Sequence, residues 1–211
     1  MRSNTTSPDL RRIVEDGGSV CCEVMTNVLY NLSRLALGRP SLTATIVERM
    51  YDADHGVFRP LASPAALRTP ALTWTALAPL ALPDLPESIG RRLVDEHLLD
   101  PRQFWLPVPP PSVSASEPSF SRDDRGILMP KRYWRGPTWI NAAYLVWLGL
   151  VRLGYAQQAA ELARRIAATV RAAGLREYYD PYTGAGLGAV DFGWSSLVVE
   201  MLAREPARAA G

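Results

Sequence analysis

Apolar residues recur at helical spacing along most of this chain, three and four positions apart, as in helices that bury one face. In the segment 23–37, one side of such a helix is formed by Val24, Val28, Leu32 and Leu35. Gly38 and Pro40 then end the pattern, because neither residue continues a helix readily. A second helix over 41–52 is predicted after a very short turn, and Gly56 marks the turn that follows it.

Two further helices are predicted before the middle of the chain. The stretch 69–82 begins with Thr69 as the expected N-cap and Pro70 in the first helical position. The stretch 86–100 also has a helical apolar period, and the residues on its apolar side are Ile89, Leu93, His97 and Leu98. Both stretches therefore extend the helical pattern.

The second half of the chain is predicted to hold three more helices. Segments 138–154 and 155–174 are long and periodic, with Gly154 between them and Gly174 in the usual C-terminal position. Residues 194–205 predict a last helix. No sustained strand alternation and no repeat at a fixed period is present. The predicted fold class is all-α, with about seven helices.

A proline-rich stretch interrupts the helical pattern over residues 101–137. Its prolines are Pro101, Pro107, Pro109, Pro110, Pro111, Pro118, Pro130 and Pro137. Loops of that length inside domains are uncommon and are usually functional or disordered. Because Phe104, Trp105 and Phe120 lie in this one, we expect it to be packed and functional.

Composition narrows the class of protein. The 211 residues are 47% apolar and 21% charged, which is typical of one globular domain and not of a disordered chain. The net charge is only +2, and the arginines are scattered, so a nucleic-acid partner is not expected. No apolar run is long enough for a membrane span, and residues 1–16 lack a secretory signal. We therefore expect a cytoplasmic protein without a membrane partner.

Cysteine and histidine usage indicates no metal site or cofactor. Cys21 and Cys22 are neighbours that cannot easily form a relaxed disulfide, so they are expected to be reduced, small core residues. His55 and His97 stand far apart in sequence, and no ligand cluster accompanies them. No cofactor-binding motif is visible in the sequence either, so neither a metal nor a cofactor is expected.

A run of aromatic and basic residues, 131–139, precedes the helix over 138–154. Flat rings cover the apolar faces of a sugar, while arginine and asparagine bind its hydroxyl groups. Pro137 is expected to set the helix start, and Gly136 to let the backbone turn before it. Taken singly, such aromatics are more often core residues, and Arg135 a surface charge. The candidate carbohydrate-binding residues here are Tyr133, Trp134, Arg135, Gly136, Trp139 and Asn141.

A second group of candidate residues lies in the glycine-rich segment 175–194, which we predict to be a loop. Its glycines would let a loop approach a ligand closely, but they do not form the G-x-G-x-x-G fingerprint and no predicted strand precedes them, so they do not indicate a dinucleotide site. Glu177 stands between Arg176 and two tyrosines, where a carboxylate could act as a general base. By itself, such a residue is more often a surface glutamate paired with an arginine.

The order of these motifs resembles one known enzyme family. The motifs YWRGPTW, EYYDPYTGAGLGA and DFGWSS, with a helical hairpin between the first two, are similar to the C-terminal half of the catalytic domain in glycoside hydrolase family 63. Its bacterial mannosylglycerate hydrolase-like members are the most similar. The loop LLDPRQFWLPVPPPSVSASEPSF also resembles that family. The resemblance is strong over residues 98–202 and fainter over 20–97.

The resemblance implies an (α/α)6 toroid and inverting hydrolysis of an α-linked glucoside or mannoside, such as mannosylglycerate or glucosylglycerate. By position within its motif, Glu177 is similar to the family's general base. Trp134, Arg135 and Trp139 match its sugar-binding pocket. The residues expected to support or line that pocket are Tyr178, Asp180 and Trp194.

The chain departs from the family in two ways. The family's general acid is an aspartate in a Ser-Pro-containing stretch, and no such stretch is found in residues 1–40; the available substitutes are Asp9, Asp16, Asp123 and Asp124. About seven helices are predicted where a full toroid has twelve. We therefore expect a flexible segment 1–19, a partial toroid domain over 20–204 and a disordered tail 205–211.

A partial toroid leaves apolar helix faces without partners, which predicts self-association or a complementary N-terminal half. Without the acid, the chain by itself is expected to be a poor hydrolase. The alternative to an enzyme is a catalytically inactive, truncated helical domain that binds a carbohydrate or a partner. A purely structural helical bundle is the third interpretation, and it predicts no sugar affinity.

Overall fold

Helices are the main regular structure in a computed structural model that describes residues 21–62, 67, 68, 70–122 and 133–204. The α-helices of this part are α1 Val24–Ala36, α2 Thr43–Met50, α3 Glu87–Leu93, α4 Ile140–Arg152, α5 Ala156–Ala173 and α6 Leu197–Ala203. Two 3-10 helices, Trp74–Ala81 and Gly193–Ser196, add to these six α-helices, and α3 continues as a π-helical turn over Val94–Leu98. The predominance of helix agrees with the predicted fold class.

Seven short strands accompany the helices in the described ranges. They are β1 Cys21–Cys22, β2 Tyr51–Asp52, β3 Val57–Phe58, β4 Leu61–Ala62, β5 Leu67–Arg68, β6 Arg176–Tyr179 and β7 Gly186–Val190. They pair antiparallel in the orders β1-β4-β5, β2-β3 and β6-β7. The turn predicted at Gly56 is therefore the turn of the β2–β3 hairpin. The prediction that 175–194 is a loop is wrong, because this segment contains the β6–β7 hairpin. Strands of two to five residues are too short to show a period in sequence.

Helix α4 lies at the centre of the core. It packs against the 3-10 helix Trp74–Ala81 and against α5 and α6. Among its buried residues, Ile140, Trp147 and Leu150 are at most 1% exposed. Each such side chain contributes roughly 1.5–3 kcal/mol through burial, so this helix holds the neighbouring segments in place.

The start of α4 differs from the prediction that Pro137 sets it. The helix begins at Ile140 after the extended N-cap Trp139, and Thr138 forms an antiparallel bridge with Tyr179. The Thr138 N–H donates to the Tyr179 carbonyl at 2.8 Å, and the Tyr179 N–H donates back at 2.9 Å. Because these backbone groups pair with β6, they are not available for a first helical turn. This pairing connects the end of the proline-rich stretch directly to the β6–β7 hairpin.

The helix predicted from Pro70 also begins later, at Trp74, with an extended Thr73 before it. The chain ahead of Trp74 is held by other segments, since the Leu72 N–H donates to Oε1 of Glu117 at 2.8 Å. The Trp74 N–H likewise donates to the Ser112 carbonyl at 3.1 Å. These contacts with the proline-rich stretch compete with helix formation at Pro70.

The described part of the proline-rich stretch, residues 101–122, is packed as predicted. Phe104 is fully buried, and Leu106 and Val108 are at most 5% exposed. The Val108 N–H donates to the Pro181 carbonyl at 2.8 Å, which ties this stretch to the turn after β6. The stretch therefore forms one wall of the core.

Several expectations lie outside the described residues. They are the flexible segment 1–19, the disordered tail 205–211, the proposed N-cap Thr69 and the substitute acids Asp9, Asp16, Asp123 and Asp124. Cys22 was expected in the core, but it is exposed on β1. None of the helices in the described ranges has the length and apolar character needed to cross a membrane.

Candidate functional site

Glu177 lies on β6, where the pairing with β7 is irregular. Arg176 pairs with Val190 and Tyr178 with Leu187, so the register shifts between them. Two residues of β7, Gly188 and Ala189, consequently lie opposite the single residue Glu177, as in a β-bulge. The bulge places a half-buried carboxylate at the side of the hairpin.

Both carboxylate oxygens of Glu177 are hydrogen-bonded. The Tyr133 hydroxyl donates to Oε1, and the Ala189 N–H donates to Oε2 at 3.0 Å. Arg176 directs its guanidinium elsewhere, since its Nη2 donates to the Gly188 carbonyl at 3.0 Å. Glu177 is therefore a held carboxylate beside an aromatic ring, and the surface pairing with Arg176 is not the contact that orients it.

Aromatic rings form a stack next to this carboxylate. Trp134 and Trp139 stack at 3.9 Å between ring centroids, with planes only 8° apart. Trp139 stacks in turn on Tyr178 at 4.9 Å, and Tyr133 meets Trp139 edge-on at 4.8 Å. The Trp139 indole N–H donates to the Tyr133 carbonyl at 3.2 Å. These contacts bring the two predicted groups of site residues together.

The rings differ in their exposure. Trp139 is 1% exposed and Tyr178 is fully buried, so neither ring presents a face to a ligand in this structure. Tyr133 and Trp134 are half-buried, and Trp194 is 43% exposed. We call Tyr133, Trp134 and Trp194 the accessible layer. Trp139 and Tyr178 are buried beneath it, so Tyr178 supports the layer, and Trp139, which was expected in the sugar-binding pocket, supports it as well.

A cleft of about 300 Å³ borders Trp134. Such a volume is at the small end for ligand sites. The cleft is lined in part by Glu23, Trp74, Ser112 and Trp134. Within the described ranges, Oε1 of Glu23 is buried and has no hydrogen-bond partner, while Oε2 accepts the Thr26 N–H at 2.8 Å.

Gly136 is required by a close approach of two backbone segments. A Cβ atom there would lie 2.0 Å from the Ser121 carbonyl oxygen, which no side chain tolerates. The Gly136 N–H donates to Oγ of Ser112 at 2.9 Å, and the Ser121 N–H donates to the Arg135 carbonyl at 2.7 Å. Gly136 therefore positions its aromatic neighbours rather than contacting a ligand through a side chain.

The remaining polar candidates are placed differently from one another. Arg135 is exposed beside the aromatic layer. Asn141 is half-buried in the first turn of α4, and its Oδ1 is buried without a hydrogen-bond partner among the described residues. An amide oxygen in that condition is an available acceptor for a hydroxyl group that reaches it.

Asp180 supports the site from the turn after β6. It is 8% exposed, and its Oδ1 accepts the N–H groups of Tyr182 and Thr183 at 2.9 and 2.8 Å. Arg122 donates to both oxygens at 2.9 and 3.1 Å. Burial by itself would raise the pKa of Asp180, but the donors from Arg122 and the turn backbone leave that pKa lowered. Since its oxygens are occupied, Asp180 fastens the proline-rich stretch to the hairpin and does not line the site.

Sequence reasoning missed the residues that act through their backbone. Ala189 holds Glu177 by its N–H, and the Thr138 backbone carries the pairing between β6 and the start of α4. No residue type is specific for such a contact. The signal that could have found the bulge is Gly188, whose φ of +68° favours glycine. In the ranges that the structure describes, no group of three His, Cys, Asp or Glu residues could hold a metal ion.

The helical fold is that of a glycosidase-like domain, as comparison with known families shows. Residues 38–195, about three quarters of the chain, match the family described as the mannosylglycerate hydrolase MGH1-like glycoside hydrolase domain. The chain belongs to this family. The resemblance to glycoside hydrolase family 63 seen in the motifs is thereby confirmed.

Individual relatives agree with this assignment. A mannosylglycerate hydrolase from Thermus thermophilus is 43% identical over 88 residues, which cover 42% of this chain and 19% of that protein. A glucosylglycerate hydrolase from Mycolicibacterium hassiacum is 29% identical over 188 residues, or 86% of this chain and 41% of that protein.

The solved structures show how much of the fold this chain spans. The crystal structure of a GH63 mannosylglycerate hydrolase from Thermus thermophilus in complex with glucose aligns with a TM-score of 0.71 and 25% identity. The alignment covers 87% of this chain and 48% of that one. The chain therefore spans about half the length of its solved relative, and its fold is part of an (α/α)6 toroid.

Proposed function

We propose that this domain supplies the water-activating half of an inverting hydrolase site for α-linked glucosides or mannosides with a small polar aglycone such as glycerate. The observation that carries the proposal is the carboxylate of Glu177, held by Tyr133 and by the Ala189 N–H next to the stacked indoles. The names of the relatives, which include mannosylglycerate and glucosylglycerate hydrolases, support this substrate class.

In the proposed reaction, a water molecule lies between Glu177 and the anomeric carbon of the sugar. Glu177 takes one proton from the water, and the water oxygen bonds to the anomeric carbon on the face opposite the leaving group. The bond from that carbon to the glycosidic oxygen breaks, and the electron pair stays on that oxygen. A second carboxyl group, roughly 6.5–9.5 Å from the first, supplies the proton that the leaving oxygen needs.

Sugar recognition in this proposal uses the accessible layer. The exposed ring of Trp194 would cover the apolar face of the sugar, and Trp134, whose ring stacks on Trp139 and on Trp74, would line the site beside it. Arg135 would bind hydroxyl or carboxylate groups, and Oδ1 of Asn141, which has no hydrogen-bond partner within the described ranges, would accept a hydrogen bond from a sugar hydroxyl. No metal ion or cofactor is needed for the steps above.

The proton donor is the incomplete part of the site. Asp9, Asp16, Asp123 and Asp124 lie outside the described residues, and none of them is in the motif that the family's acid occupies. We propose that the acid comes from a complementary N-terminal half of the toroid, in the same or another polypeptide. Its absence would slow hydrolysis of an alkoxide leaving group by roughly 10²- to 10⁴-fold.

The test uses a substrate whose leaving group needs no acid. Fluoride leaves without proton transfer, so the chain should release it from α-mannosyl or α-glucosyl fluoride but act slowly on mannosylglycerate. Replacing the base by Glu177→Gln should lower fluoride release by roughly 10²- to 10⁴-fold while saccharide affinity changes little. A fluoride electrode measures the rate, and proton NMR shows whether the first product is the β-anomer. Equal rates for both proteins would contradict the proposal.

A catalytically inactive carbohydrate- or partner-binding domain is the second candidate. It is favoured by exposed apolar side chains, among them Val199 at 66% and Leu202 at 41% on α6, which a partner or a second copy of the chain could cover. This candidate also predicts saturable sugar binding. It differs in predicting no fluoride release above that of the Glu177→Gln protein.

A further inference from the structure

The backbone of β7 bends away from β6 opposite Glu177. Gly188 has a φ of +68°, in the left-handed region, and Arg176 Nη2 donates to its carbonyl at 3.0 Å. This local conformation turns the next N–H, that of Ala189, towards Oε2 of Glu177 at 3.0 Å. The hydrogen bond that holds the second carboxylate oxygen thus depends on the bulge.

Position 188 has no room for a side chain. A Cβ atom there would lie 2.5 Å from Oε2 of Glu177, 2.5 Å from Cε1 of Tyr178 and 2.8 Å from Cβ of Glu177. The Tyr178 ring is fully buried under Trp139, so it cannot move aside easily. The carboxylate end of Glu177 is the flexible one of these atoms and would move, while the collisions with Tyr178 and with Cβ of Glu177 require a shift of the hairpin. Both changes take the carboxylate away from the Tyr133 hydroxyl and the Ala189 N–H.

We propose that Gly188 is a positioning residue for the carboxylate of Glu177. It acts through the β-bulge, which the hydrogen bond from Arg176 to the Gly188 carbonyl stabilises. This inference rests on the function proposed above for Glu177. The Ala189 N–H fixes Oε2 and the Tyr133 hydroxyl fixes Oε1, so the carboxylate is aligned before a ligand arrives. A base aligned in advance does not have to be ordered during the reaction, and a displacement of about 1 Å is worth about 10²-fold in rate.

The experiment compares two alanine substitutions in one hairpin. Gly188→Ala adds the methyl group that collides with Glu177. Gly184→Ala is the matched control, since Gly184 also has a positive φ of +72°, but its Cβ would meet only Thr169 and Val108 at 3.4 Å or more. Both substitutions therefore carry similar backbone strain, and only the first displaces the carboxylate.

We expect Gly188→Ala to lower kcat for an α-glycosyl fluoride by about 10²-fold, with less than about a threefold change in saccharide Kd. Gly184→Ala should keep kcat within about threefold of the starting protein, because it does not reach Glu177. If Gly184→Ala loses as much kcat as Gly188→Ala, hairpin integrity alone explains the effect and the proposal is wrong. It is also wrong if Gly188→Ala loses affinity but keeps kcat.

Arg176→Met tests the same bulge without adding a methyl group to the crowded position 188. It keeps the aliphatic stem against Gly186, where a Cβ would be 2.4 Å from Cγ of Arg176, but removes the donor to the Gly188 carbonyl. We expect a smaller loss of kcat than for Gly188→Ala, again with little change in Kd. Unchanged kcat in a folded Arg176→Met protein would exclude the fastening role of Arg176.

Amide hydrogen exchange at Ala189 separates this proposal from the proposed function, because it needs no turnover. Exchange should be slow in the starting protein and in Gly184→Ala, and faster in Glu177→Ala and Gly188→Ala. Exchange that is unaffected by Glu177→Ala would overturn the positioning contact itself. A different result would overturn the function of Glu177 as a base and leave the positioning contact intact. In that case the exchange pattern is as expected, but the starting protein and Glu177→Gln release fluoride at equal rates.

Discussion

The Tyr133 hydroxyl donates a hydrogen bond to the carboxylate of Glu177, across 44 positions of sequence. Tyr133 lies before α4 and Glu177 lies on β6 after α5, so the helical hairpin α4–α5 brings the two segments together. The same tyrosine contacts Trp139 edge-on and accepts its indole N–H. The carboxylate and the aromatic layer are therefore parts of one site, and each can be tested separately.

Tyr133→Phe should remove the hydrogen bond to the carboxylate of Glu177 and keep the aromatic ring. A hydrogen bond to a charged group contributes about 1.5–3 kcal/mol, and partial exposure reduces that to about 1–2 kcal/mol here. We expect kcat/KM for an α-glycosyl fluoride to fall about tenfold. Unchanged kcat/KM, measured beside an unchanged thermal unfolding midpoint, would show that this contact does not orient the base.

Asp180→Asn should lower stability and change its pH dependence. The pKa of Asp180 in the folded protein lies below its ordinary value of 3.8, so its stabilising contribution is present above that pH and is lost as pH falls through the lower, folded pKa. The substitution removes the charge that Arg122 binds, which should cost about 1–2 kcal/mol at pH 7.

Urea unfolding at pH 7 and at pH 3 measures this difference. The gap between the starting protein and Asp180→Asn should narrow at the lower pH. A gap of equal size at both values would show that the ionised carboxylate is not the source of the stabilisation.

Gly136→Ala should be strongly destabilising, because its new Cβ would lie 2.0 Å from a backbone oxygen of Ser121. Collisions with backbone cannot be relieved by rotating a side chain, so a cost of about 3 kcal/mol or more is expected. Gly193→Ala is the control, since no heavy atom lies within 4 Å of the Cβ it adds. Its unfolding free energy should change by about 0.5 kcal/mol or less.

Trp194→Ala should reduce saccharide affinity with little loss of stability. The ring is 43% exposed and belongs to the accessible layer, so its removal forfeits about 0.5–1.5 kcal/mol of stacking, or a two- to twelvefold rise in Kd. Leu37→Ala removes a side chain that is 76% exposed in the turn after α1 and should leave Kd unchanged. Calorimetric titration with a mannoside measures both, and equal Kd values for the two variants would exclude Trp194 from binding.

The long helices and the identities of the candidate residues were accessible from sequence. The periodic segments over 138–154 and 155–174 correspond to α4 Ile140–Arg152 and α5 Ala156–Ala173. The helical spacing of apolar residues is a local property of the chain, so it can be recognised without any knowledge of packing. The ordered motifs around Trp134 and Glu177 likewise identified the family, which the match over residues 38–195 confirms.

What needed coordinates is the way these parts fit together. The sequence predicted that Pro137 sets the start of α4 and placed a loop over 175–194, because it contains no sign that Thr138 pairs with Tyr179. It also grouped Trp139 with Trp134 as ligand contacts, although one ring is buried and the other is accessible. Exposure is decided by segments that are distant in the chain.

By itself, the sequence determined the helical class, the family and the carboxylate and aromatic side chains available for chemistry, because spacing and motif order are properties of the chain. Only the tertiary structure decided that the Tyr133 hydroxyl and the Ala189 N–H hold Glu177, that Gly188 must lack a side chain, and that Asp180 faces Arg122. The physical reason is that backbone donors have no residue identity, and burial arises from contacts between segments that folding alone brings together.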